Sequence, residues 1–173
     1  GVSKVRKILT RTNELHRTFE ATTERVFQSE LGIANPPLTD YIANLLMRFV
    51  RISTVYSMRN EVGERLFNVT EMVNEARKRE GWSQAKAHRE LADFILFWTG
   101  FYPEALKKLR HWSTPDASID YPRQARESYE IAGDHMVSER DENHQATVFF
   151  FLSDEFDLCV RGLYRIRCTL RSR

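Results

Sequence analysis

The stretch Gln84-Ala85-Lys86-Ala87-His88-Arg89-Glu90-Leu91-Ala92-Asp93-Phe94-Ile95-Leu96-Phe97-Trp98-Thr99-Gly100-Phe101 decides the fold. Its second half, Leu91 to Trp98, is apolar nearly all the way round a helical wheel, with Asp93 as its one charged residue. A helix that is apolar on every side must be surrounded by other elements, so this spacing predicts a central helix over about 84–101. Ser83 is the expected N-cap, and Tyr102-Pro103 closes the helix.

Helical periodicity continues on both sides of it. Leu15, Phe19, Val26, Phe27 and Leu31 mark an earlier helix stopped by Gly32, while residues 1–14 read as either extended or a frayed helix. After the break at Asn35-Pro36-Pro37, Thr39 or Asp40 opens a helix with Ile42, Leu45, Leu46, Phe49 and Val50 on one face. A helix over roughly 62–79 carries Val62, Leu66, Val69, Met72, Val73 and Ala76, and ends at Gly81 after a basic last turn. Beyond the central helix, Glu104–Arg110 forms a short one, and Asp120-Tyr121-Pro122 opens another to about Ser138, with Pro in its first turn. A last helix runs from about Gln145 to Leu170. Connections are expected at 53–61, 111–120 and 139–145. The expected class is all-α: one domain over 1–173, a compact bundle of six or seven helices.

Composition agrees. Gly and Pro make up only 12 of 173 residues, too few turn formers for a sandwich or barrel that turns every ten residues or so. The longest apolar runs, Phe94 to Trp98 and Val148 to Leu152, fall far short of the ~20 residues of a bilayer span. No apolar stretch follows the basic start, so no secretory leader is expected. Cys159 and Cys168 stand nine apart on one expected helix, about 13 Å of rise, beyond the roughly 4.4–6.8 Å of a disulfide. Reduced thiols fit a cytoplasmic protein, and two cysteines without Cys-x-x-Cys spacing argue against structural zinc.

The string Leu91-Ala92-Asp93, Leu96-Phe97, Gly100-Phe101, Pro103-Glu104, Asp120-Tyr121, Ser128-Tyr129 and Gly133 resembles an uncharacterised bacterial family of small all-helical proteins, over roughly residues 38–165. The chain departs from that family's usual pattern at Pro122, where a second aromatic is common. The resemblance implies a compact helical fold and a bacterial, cytoplasmic origin, and it implies no activity.

Candidate chemistry centres on Asp93. Flanked by Leu96 and Phe97, its carboxyl is not fully exposed, and a buried carboxylate must be paired or protonated. Arg89, Tyr121 and Tyr129 are natural partners, His88 stands beside it as a possible base, and Glu104 lies one helix end away. A catalytic acid in a pocket has this appearance; so does a structural pair that fixes helix register, which is the preferred reading. Glu127, Glu130 and Asp134 share a helix face with His135 nearby, yet no Glu-x-x-His pair of the di-iron type occurs, and Arg123 and Arg126 neutralise the face equally well. No metal is expected. No Gly-x-Ser-x-Gly elbow and no Gly-rich phosphate loop occurs either, so no nucleotide or other cofactor is expected.

The net charge of +2 is unevenly spread: residues 1–17 carry +4, residues 161–173 carry +5, and the stretch between carries −7. Such ends either meet an anionic partner or fold back on the acidic body. Asp157 and Arg161 hold the favourable i, i+4 spacing. On a continuous final helix, Phe151 and Leu158 form a second apolar stripe that calls for a neighbour: the segment holding Val5, Ile8 and Leu9, or a second protomer. The functional expectation is a non-enzymatic bacterial cytoplasmic protein acting through protein–protein contacts, as a homodimer or with another protein. The alternatives are a small enzyme or ligand-binding protein with a polar pocket around Asp93, Glu104 and Tyr121, and an RNA or anionic-lipid binder using the basic termini. Nucleic acid is not favoured.

Overall fold

A computed structural model describes residues 1–50, 58–109, 115–138 and 145–172, the side chains of Ile8, Leu9, Lys108 and Leu109 excepted. Trp112, Arg173 and the connections expected at 53–57, 111–114 and 139–144 lie outside the described residues. The described residues form the helices α1 (Val2–Arg25), continued by a π-helical turn (Val26–Glu30), α2 (Pro36–Phe49), α3 (Val69–Lys78), α4 (Gly81–Phe101), α5 (Pro103–Leu109), α6 (Tyr121–Ser138), α7 (Gln145–Asp154) and α8 (Phe156–Arg171). The chain is all-α, and α4 is its centre: it packs against α2, α3, α6 and α8. Leu91 to Phe97 is buried without interruption, as the all-round apolar pattern predicts.

Several boundaries differ from the sequence reading, each for a local reason. Residues 2–14 are helical rather than extended. Helix is interrupted over 31–35, as the break predicts, but Asn35 caps α2, its side chain accepting from Leu38 N at 3.2 Å, so α2 starts at Pro36 and not at Thr39 or Asp40. Asn68 caps α3 through Glu71 N at 2.9 Å, which starts that helix at Val69 and not near 62. Before it the chain turns at Gly63, where φ is +83° and a side chain is disfavoured, and Asn60 Oδ1 accepts from Val62 N and Glu64 N. The central helix begins at Gly81, ahead of the expected Ser83 cap.

The long final helix is two helices. Glu155, with ψ of +35°, breaks it, and α7 and α8 present their own faces. Phe150 and Phe151 on α7 are half-buried against the core, and Leu158 on α8 is half-buried, so a stripe drawn on one continuous wheel does not exist. Close packing brings the helices together at small residues. Phe150 fills the space beside Gly133, and Phe27 of the π turn that beside Gly162.

Candidate functional site

Asp93 is fully buried at the centre of a polar network. Tyr41 donates to both of its oxygens at 2.8 Å, Tyr129 donates to Oδ1 at 2.8 Å, and Arg48 Nη2 donates to Oδ2 at 2.6 Å. α2 supplies Tyr41 and Arg48, and α6 supplies Tyr129, so one carboxylate joins three helices. Burial, then the Asp93 charge, push the Tyr41 and Tyr129 hydroxyls well above the usual tyrosine range. Burial works against the Arg48 charge, but the Asp93 carboxylate outweighs it and the pKa is raised. The single Tyr41 proton is shared between the two oxygens, so three donors from two helices converge on the carboxylate. The arrangement locks helix positions.

The other residues predicted to share this site go elsewhere. Arg89, the intrahelical candidate, makes no ion pair with Asp93 among the described residues, and its Nε is buried without a hydrogen bond. The carboxylate points across to α2 and α6 instead of back along α4. Tyr121 donates to Asp116 Oδ2 at 2.8 Å. Glu104 is exposed and pairs with Arg167 of α8, whose Nη1 also donates to Phe101 O at 3.0 Å. The hydrogen bond from Arg167 leads the causes that hold the Glu104 carboxyl down at about 2. Asp93, Glu104 and Tyr121 therefore belong to three separate clusters.

His88 lies in a fourth, with Nδ1 2.9 Å from Ser128 Oγ. Burial lowers its pKa below 6.5, against a smaller opposing pull from Glu127. A base whose pKa is depressed by folding contributes its full stability above the unfolded value, here 6.5, and loses it as pH falls through the lowered folded value. Thermal melts on both sides of 6.5 are expected to show an acid-side loss that shrinks in His88→Gln; an unchanged loss would remove His88 from the account.

Glu127, Glu130 and Asp134 are exposed, and His135 stacks at 5.5 Å on Trp82. Among the described residues no group of three potential ligands is placed to hold a metal. Burial pushes the Cys159 thiol up to about 12, which makes it a packing residue and no nucleophile. Asp157 pairs with Arg126 at 2.8 Å, not with Arg161 as the spacing suggested.

An open apolar groove lies at the C-terminal end of α4. Leu15 and Phe19 of α1, Leu46, Phe49 and Val50 of the α2 end, and Phe97, Phe101 and Tyr102 line a groove of about 280 Å³. Its rings are ordered: Phe97 stacks on Phe49 at 4.6 Å and on Phe101 at 5.6 Å, and Tyr102 stands edge-on to Phe101 at 5.1 Å. Two guanidinium groups cover its edges, Arg48 at 5.8 Å over Phe49 and Arg167 at 5.0 Å over Tyr102. Phe49 and Phe97 belong to the core, as their place in the apolar patterns of α2 and α4 predicts, and Phe101 is partly buried against it. No protein-family model, curated protein or solved structure matches the chain, so the resemblance noted above rests on its quoted residues alone.

Proposed function

We propose that the chain is a non-enzymatic protein of the bacterial cytoplasm that works by protein–protein contact, with the aromatic groove as its contact surface. The carrying observation is the groove itself, walled by the stacked rings of Phe49, Phe97 and Phe101 between α1, α2 and α4, with Val50 and Tyr102 exposed at its mouth. Free thiols at Cys159 and Cys168 fit a reducing compartment. Among the described residues, the buried carboxylates Asp93 and Asp116 are engaged in joining helices, which favours binding over catalysis.

The occupant that fits is a helical segment of another protein, apolar on one face. Its side chains meet Val50, Phe101 and Tyr102 at the mouth of the groove. A photo-crosslinking amino acid at Val50, on the rim, is expected to give one discrete adduct with another polypeptide in cells. The same probe at Val137, beside the Trp82 end of α4, is expected to give none. Equal labelling from both positions, or an adduct between two copies of this chain, counts against the reading.

A further inference from the structure

Among the described residues, no element packs beneath the first half of α1. From Gly1 to Glu14 every described side chain is exposed. Packing begins at Leu15, and His16 Nε2 meets Asn44 Oδ1 at 3.1 Å. The first half extends from the packed second half of a 24-residue helix, so it is nucleated there and gains no packing of its own among the described residues. One side of the arm is apolar: Val2 and Val5 are 74% and 56% exposed, and Val5 stands two heptads before Phe19, on the side by which α1 meets the body. Lys4, Lys7 and Arg11 follow at spacings of three and four along the flank, with Arg6 on the other flank. Among the described residues none of these four cations has an acidic partner.

The C-terminus adds to this end of the molecule. Phe27 packs at Gly162, and Arg167 stacks on Tyr102, which shares a groove with Leu15. Later residues of α8 thus lie beside earlier residues of α1, and Arg171 comes to the end from which the arm projects. Arg161, Arg165 and Arg171 also lack acidic partners among the described residues. Among the described residues, Arg167 folds back on Glu104, and the charge of Arg171 also bears on that carboxylate.

We propose that the α1 arm is an interfacial anchor for an anionic lipid surface, independent of the groove's occupant. Val2 and Val5 enter the boundary between headgroups and acyl chains, and Lys4, Arg6, Lys7 and Arg11 meet lipid phosphates. Among the described residues no helix is long and apolar enough to cross a membrane, so the contact is at its surface. A second copy's arm would oppose cation to cation, and RNA would engage the cations but leave the valines in water.

The test uses the full chain with vesicles of phosphatidylglycerol in phosphatidylcholine, and with phosphatidylcholine alone. Binding is expected to the anionic vesicles only and to weaken with salt. Each cation at such a surface strengthens partition about fivefold, so a Lys4→Glu, Lys7→Glu double variant is expected to bind roughly thirtyfold more weakly or worse. Val5→Asp, with all four cations retained, is expected to lose most binding as well. Both variants should melt as the parent does, because the side chains of Lys4, Val5 and Lys7 are exposed. Any of four results overturns the proposal: equal binding to neutral vesicles, unchanged binding by Val5→Asp, preference for a homopolymeric RNA in the same salt, or a dimer by light scattering that Val5→Asp dissolves.

Discussion

Asp93→Ala is expected to lower stability by about 3–5 kcal/mol, read from the denaturant midpoint, because removing one member of a buried charged pair leaves the rest uncompensated. Tyr129 is fully buried and loses its acceptor, and Tyr41 loses the hydrogen bond it shares between the two carboxylate oxygens. Arg48 is about 38% exposed and regains part of its hydration, which argues for the lower end of that range. Asp93→Asn is expected to cost less. The amide oxygen keeps Arg48, and the amide nitrogen faces tyrosine hydroxyls, which rotate to accept. If both variants unfold with the parent, Asp93 holds nothing and the central network is misread.

Much of this architecture is legible in the sequence, and the part that is not has a common cause. The central helix follows from Leu91–Trp98 alone, since no surface helix tolerates that pattern. The burial of Asp93 follows from its neighbours, and Tyr129 stands among the partners the sequence suggests. Tyr41 and Arg48 do not, although they stand seven apart on the apolar face of α2 with Leu45 between them. Polar tips on an apolar face are the available signal, and they point to a shared buried acceptor. Local spacing instead nominates Arg89, because an i, i+4 pair is visible in one helix and a partner 45 residues away is not. The break at Glu155 has no marker at all: neither Gly nor Pro stands between Ser153 and Asp157. Reading one helix where there are two displaced Phe151 and Leu158 onto a single stripe. The acidic and basic residues show the same limit, for Asp157 prefers a cross-helix arginine to the one a turn away.

Asp116, for which sequence periodicity gives no signal, is expected to match Asp93 in cost and differ in its rescue. Only 2% exposed, it accepts from Val69 N and Thr70 N at 2.9 Å, and from the Thr70 and Tyr121 hydroxyls at 2.8 Å. The carboxylate thereby sits at the positive end of α3 and ties its first turn to the start of α6. Asp116→Ala strands a buried backbone N–H and takes an acceptor from the hydroxyl of fully buried Tyr121, at about 1–3 kcal/mol for each group left unsatisfied. A total of about 3 kcal/mol is expected in urea unfolding. Asn does not help here. Each carboxylate oxygen faces a backbone N–H that cannot turn, so an amide nitrogen in either place meets a donor. Partial rescue by Asn at 93 and none at 116 is the signature of hydroxyl donors around one carboxylate and amide donors around the other. Adding Tyr121→Phe to Asp116→Ala should recover part of the loss, because the stranded hydroxyl is then gone. Strict additivity of the two substitutions would show that Tyr121 draws nothing from Asp116, and equal rescue by Asn at both positions would refute the donor assignment.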